Sequence, residues 1–330
     1  MLSEKVNAVW RVAAAICLWG AAHMATAAST HPLFVLNSLD ATVSVIDPQT
    51  WAERERIPVG KEPHHLYLTP DERELIVANA AGDSLTILDP RTGKFVRNIT
   101  GILDPYHLRF SPDMKWFVIA GNRLNHVDIY RWENNQPLLS KRIATAKTPS
   151  HLWIDSKSAR AYATMQDSDE FIAIDLATQT VLWRAATGSM PADIYGSADD
   201  KHVFIGLTGS DSVQVFDITG NTPKEVTQLK TGKGAHAFRA TGDKRHLLVS
   251  NRVANTISKI DMQAVQVVDT FNAPGGPDCM DLSPDGRYIY LSSRWARYLT
   301  VIDTQSRQVV RQVRVGRSPH GVWTLDHAPR

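Results

Sequence analysis

The sequence predicts an all-β chain folded as a seven-bladed β-propeller, closed by joining its N- and C-terminal strands in one blade. Three observations lead there. First, an aliphatic pair closed by aspartate returns about every 42 to 45 residues: Val45-Ile46-Asp47, Ile87-Leu88-Asp89, Ala173-Ile174-Asp175, Val215-Phe216-Asp217, Lys259-Ile260-Asp261 and Val301-Ile302-Asp303, with a degenerate copy at Asp128-Ile129-Tyr130. Second, tight turns such as Thr69-Pro70-Asp71, Ser111-Pro112-Asp113 and Ser283-Pro284-Asp285-Gly286 precede β-rich runs, and apolar spacing at i, i+3, i+4 never persists long enough for a helix. Four short strands per unit of this length is the pattern of a propeller blade. Third, the two ends complement each other, as the elements show in order.

Residues 1–27 read as an export signal. Lys5 and Arg11 precede the apolar run Val12–Ala22, and Ala25-Thr26-Ala27 offers small residues for cleavage. The run is shorter than the roughly 20 residues of a membrane span, so a periplasmic or secreted chain with no membrane span is expected. Bulky Ile16 beside Cys17 does not suit a lipoprotein site. The propeller then occupies 28–330. Leu33–Asn37 and Thr42–Asp47 read as the second and third strands of a blade lacking its first. Six full units follow, and the last segment, Arg317–Trp323, supplies one further first strand. The aspartates closing the third strands read as turn residues bonded to nearby backbone.

The Val-x-Asn and Val-Ile-Asp repeats, with Val59-Gly60 and Val315-Gly316 before the turns, resemble the YVTN or YncE-type bacterial β-propellers, similar in fold to the haem d1 domain of nitrite reductase. The resemblance covers essentially the whole mature chain. It implies a scaffold, a tetrapyrrole binder, a lactonase-like enzyme or a copper or zinc protein, and does not choose among them.

The residues that carry chemistry lie where each first strand opens: Pro63-His64-His65-Leu66, Pro105-Tyr106-His107-Leu108, Pro149-Ser150-His151-Leu152, Pro191-Ala192-Asp193-Ile194, Gly234-Ala235-His236-Ala237, Pro277-Asp278-Cys279-Met280 and Pro319-His320-Gly321-Val322. First strands line a propeller's central channel, so a column of the repeat becomes a ring in space. Two residues past each turn that ring reads His65, His107, His151, Asp193, His236, Cys279 and Gly321, with His64 and His320 one residue away. Chance would place about 0.5 histidine in these two columns, and six stand there. Imidazoles with one carboxylate and one thiol favour copper or zinc over calcium or magnesium. His65, His107 and His151, from successive blades, form a candidate three-histidine site, and His236 with Asp193 or Cys279 a second. Such histidine-ringed channels resemble those of nitrous oxide reductase and thiocyanate dehydrogenase, which hold copper clusters. The competing reading is inert histidines donating to a neighbouring blade's carbonyl.

Four residues past the turn stand Tyr67, Arg109, Trp153, Tyr195, Phe238, Asp281 and Trp323. They read as packing between blades, or as a stacking wall for a planar cofactor such as a tetrapyrrole, with His107 or His151 as axial ligand and with Arg109 and Asp281 orienting an anionic substrate. His31, His126, His202, His246 and His327 read as surface or loop residues.

With 36 Lys+Arg against 34 Asp+Glu, no nucleic-acid partner is expected. No serine-hydrolase elbow, zinc-protease motif, Cys-x-x-Cys or phosphate loop is present. The reading that emerges is an exported propeller binding copper or zinc through channel histidines, as a metal-handling or accessory protein. Its partner is a metal ion or small ligand in the channel, with a periplasmic protein partner as a further expectation. The alternatives are an interaction scaffold and a lactonase-like hydrolase or tetrapyrrole binder.

Overall fold

The computed structural model describes residues 29–329; the export signal read at 1–27 lies outside them. Seven four-stranded antiparallel sheets form the ring. In each full blade the strands run outward in sequence order, as in Pro63–Leu68, Leu75–Asn79, Ser84–Leu88 and Phe95–Thr100. The seventh blade joins the ends: Pro319–Thr324 lies innermost and pairs with Leu33–Asn37, placing Trp323 opposite Phe34. Asp326 fastens this closure, accepting the backbone N–H groups of Thr30 and His31 and lying 2.8 Å from His31 Nδ1. No described helix is long and apolar enough to cross a membrane.

Sequence explains the layering. Second strands such as Leu75–Asn79 pack both faces against neighbouring blades and are wholly buried, so they read as continuous apolar runs rather than alternating ones. Outer strands leave an edge free and carry charge there, as in Glu53-Arg54-Glu55-Arg56, which discourages edge-to-edge association.

The Val-x-Asn repeat has a specific cause. Asn37, Asn79 and Asn251 end second strands, and each donates from Nδ2 to two hydroxyls on the third strand: Thr42 and Ser44, Ser84 and Thr86, Thr256 and Ser258, at 2.9–3.2 Å. Replacing Asn79 by Ala strands the buried Thr86 hydroxyl, and we expect a cost of about 1–3 kcal/mol, seen as a melting temperature lower by several degrees. An unchanged melt would show that the hydroxyls find other partners.

The expected turn aspartates do bond to backbone; Asp47 Oδ1, for example, accepts from Gln49 and Thr50 N–H. In the second blade the bulge that falls between Val45 and Ile46 in the seventh blade falls between Ile129 and Tyr130. The degenerate copy is therefore Ile129-Tyr130-Arg131, one residue later than the sequence suggested. Asp128 instead lies buried, accepting from Tyr130 Oη and both Arg142 Nε and Nη2. His126 beside it is 4% exposed, not a surface residue, with Nε2 3.4 Å from Asp128.

A cluster of histidines in the channel

Every inner strand starts irregularly. A residue with positive φ (Glu62, Asp104, Thr148, Met190, Gly234, Gly276 and Ser318) precedes it, and pairing with the second strand slips within the next few residues, for instance between Pro63 and Leu66. Such a bulge breaks strict alternation. Two consecutive residues, such as His64 and His65, thereby contribute to one channel cluster.

The same feature corrects the register of the fifth blade. Gly234 holds the positive-φ position that precedes proline elsewhere, and Ala235 pairs with Asn251 as Pro63 pairs with Asn79. His236 therefore belongs beside His64, Asp278 and His320, one residue past the turn, and Ala237 takes the place beside His65. Likewise Arg239, not Phe238, joins Tyr67, Arg109 and Asp281 four residues past the turn.

Six imidazoles converge. The rings of His65, His107 and His151 lie 4.4, 5.1 and 4.8 Å apart by centroid. His64 is sandwiched between Tyr106 at 3.9 Å and His320 at 3.6 Å. Three groups bring ligand atoms within 4.8 Å of one another: His65–His107–His151, His64–His65–His320 and His236–Asp278–His320. The first and last share no residue. Asp193 and Cys279 enter none of these groups. Asp193 accepts the N–H groups of Ile194 and Phe238, and Cys279 Sγ lies 3.5 Å from His320 Nδ1.

Hydrogen bonding sets which ring nitrogens stay open. His65 Nδ1–H donates to the Tyr106 carbonyl at 2.8 Å and His320 Nδ1–H to the His64 carbonyl at 2.9 Å. These are the neighbour-blade bonds of the inert reading, but they consume one nitrogen per ring and leave the lone pair of a neutral imidazole on Nε2. His107 Nδ1 and His151 Nε2 are buried with no hydrogen-bond partner, whereas His236 Nε2 and His320 Nε2 lie 3.1 and 3.6 Å from Asp278 Oδ1. Burial, reinforced by neighbouring imidazoles, pushes His64, His107, His151 and His320 well below the ordinary histidine value and takes His65 to about 3. Burial and the charge of Arg252 also lower His236.

Asp278 was passed over in the sequence, though it shares a column with His64 and His320. It is fully buried, 3.1 Å from His236 Nε2, and accepts from Arg252 Nη2 at 2.8 Å and Arg294 Nη1 at 3.0 Å. Burial alone would raise its pKa; Arg252, His320 and His236 hold it well below the carboxylate range.

Toward the ends of the inner strands the histidines open on a cavity of about 100 Å³, lined by His65, His107, His151, Asp193, Tyr67 and Arg109 among others. Trp153 and Trp323 do not line it; they pack between blades with Tyr162 and Phe34. Asp281 is buried, accepting from Arg239 Nε at 2.8 Å and from Leu282 and Thr324 N–H.

A sequence model of the YNCE-like beta-propeller family matches residues 2–330. The uncharacterized protein YncE of Salmonella typhimurium is 31% identical over 156 residues, 43% of this chain and 40% of that protein. YncE of Salmonella typhi is 30% identical over 154 residues with the same coverage. The chain thus spans less than half the length of these curated relatives. Among solved structures, the periplasmic gluconolactonase PpgL of Pseudomonas aeruginosa superposes with TM-score 0.75 at 20% identity, over 89% of this chain and 98% of that one. The dihydro-heme d1 dehydrogenase NirN superposes with TM-score 0.68 at 17% identity, over 89% and 75%. At such identities the likeness concerns fold alone.

Proposed function

The chain belongs to the YNCE-like β-propeller family, and from that premise we propose that it is an exported propeller holding a resident copper or zinc ion on His65, His107 and His151. The observation that carries this is the pair of orphaned, buried ring nitrogens in that triad, His107 Nδ1 and His151 Nε2, beside His65 in a group whose ligand atoms lie within 4.8 Å of one another. Each unpaired buried polar atom costs about 1–3 kcal/mol, and two in one cluster call for a shared partner. A cation that prefers nitrogen meets that need. Ligand atoms of a tetrahedral ion at about 2.1 Å stand about 3.4 Å apart, so modest ring rotations close the observed group around an ion. Its fourth position faces the cavity.

His236, Asp278 and His320 form a second, weaker position, because Arg252 and Arg294 already engage the carboxylate and repel a dication. The burial of His107 and His151, 6% and 1% exposed, favours an ion that stays over one handed on to a partner.

The other readings draw less support. A cavity of about 100 Å³ is small beside the roughly 300–1,000 Å³ of sites for drug-sized ligands, which leaves little room for a tetrapyrrole. Asp281, expected with Arg109 to orient an anionic substrate, is engaged by Arg239. Scaffolding through the exposed loops gives no reason for the histidines.

The test is metal analysis of natively exported protein, purified without affinity histidines or chelators. We expect a chain beginning near Ala28, with one tight equivalent of copper or zinc and a second that washes out more readily. Protein that is metal-free and refuses added copper and zinc overturns the reading.

A further inference from the structure

We propose that the ion on His65, His107 and His151 takes a small anion as its fourth ligand, and that Arg109 holds the anion's outer end. The inference rests on the metal reading above and deepens it by naming the class of molecule the site accepts.

Charge makes the first argument. Three neutral imidazoles carry no charge to offset a dication, and a buried, uncompensated charge is costly. Among the residues lining the cavity the acidic one is Asp193. Both its oxygens accept backbone N–H groups, from Ile194 at 2.9 Å and Phe238 at 2.8 Å. Against this single carboxylate stand the ion and Arg109, since the second lining arginine, Arg239, is neutralised by Asp281. An anion bound at the open position brings the cavity toward neutrality.

The two arginines differ, and the difference locates the anion. Arg239 is committed to structure: it donates to Asp281 and to the carbonyls of Ala240, Ala328 and Pro329. Arg109 also lines the cavity, but its Nε is buried with no hydrogen-bond partner. Its charge is felt by His107, His151 and Asp193. An orphaned guanidinium N–H beside a coordinating triad is arranged for a ligand that touches both. Size restricts the class further. A cavity of about 100 Å³, well below the roughly 300–1,000 Å³ of drug-sized sites, favours a monoanion of a few heavy atoms with a nitrogen, oxygen or sulfur donor.

Sodium azide serves as the probe, titrated into copper(II)-loaded protein and followed by its charge-transfer absorption, after metal content has been measured. Wild type should bind one azide. Arg109→Gln should load copper equally and bind azide roughly 10- to 100-fold more weakly, the loss expected for one charge-assisted hydrogen bond. Arg109→Lys should recover part of that loss. Azide binding that is equal in Arg109→Gln, equal in metal-free protein, or absent from copper-loaded wild type overturns the inference. Failure to load copper is read first and counts against the metal site itself, so the two failures are distinct.

Discussion

Metal-free protein should lose stability steeply as the pH falls from 6.5 toward 5. His64, His65, His107, His151, His236 and His320 all have their pKa values lowered, chiefly by burial. In the unfolded chain they take up protons near pH 6.5; in the propeller they stay neutral to lower pH, His65 until about 3. Below pH 6.5 the unfolded state therefore binds more protons, and the stability present above that pH drains away as pH falls. Each imidazole that remains neutral contributes up to about 1.4 kcal/mol per pH unit. Six acting together can remove several kcal/mol within one unit, against a typical total of about 5–15 kcal/mol.

The acidic groups act in two directions: Asp104, Asp155 and Asp193, raised chiefly by burial, take up protons more readily in the folded chain and offset part of this loss. Asp261 and Asp303, held at about 2 by hydrogen bonds from Arg245 and Arg287, lose their contribution only as pH falls through the range between about 4 and 2. Urea or thermal unfolding at pH 7.5, 6.5 and 5.5 checks the result, and bound metal should shift the whole profile toward acid by competing with protons. A melting temperature that is level from pH 7.5 to 5.5 would mean that the imidazoles charge freely inside the channel.

The ring was legible in the sequence because its signals are local and repeated. Turn prolines, the Asn that reaches across a hairpin and the Asp that closes the third strand each solve a backbone problem seen again in the next blade. The channel was only partly legible, since its contents depend on register to a single residue. Where proline is missing, Gly234 looks like its stand-in, yet it fills the positive-φ position before it. A signal was available: Ala235 stands as far before Asn251 as Pro63 before Asn79, and those residues pair. Counting back from the second strand would have placed His236 beside Asp278 and Arg239 beside Asp281.

The bulge after each turn was not legible, because no residue type demands it. Alternation alone would send His64 and His65 to opposite faces. Asp278 stands in the column of His64 and His320, and a count of imidazoles in that column passes over a carboxylate. Arg252 and Arg294 follow the second strands of two adjacent blades, His246–Asn251 and Tyr288–Ser293, and meet Asp278 only in three dimensions.

The largest effect on function should come from replacing His65, His107 and His151 together by alanine. Wild-type protein given metal at a thousand times its dissociation constant gains about 4 kcal/mol, which for a domain of this size raises the melting temperature by roughly 6 °C. The triple variant should gain almost none of this and lose the tight equivalent of metal. It should also show a flatter acid profile, because three of the six histidines are gone. Changes elsewhere in the cluster separate the sites. His64→Ala leaves both non-overlapping groups intact and should keep the tight ion. His236→Ala with His320→Ala should remove only the weaker equivalent, since neither residue belongs to the first group. Tight binding that survives the triple change but fails in the His236 and His320 pair would move the principal site to Asp278, where two arginines argue against it. The experiment thus measures whether three neutral imidazoles outweigh one carboxylate that is already engaged.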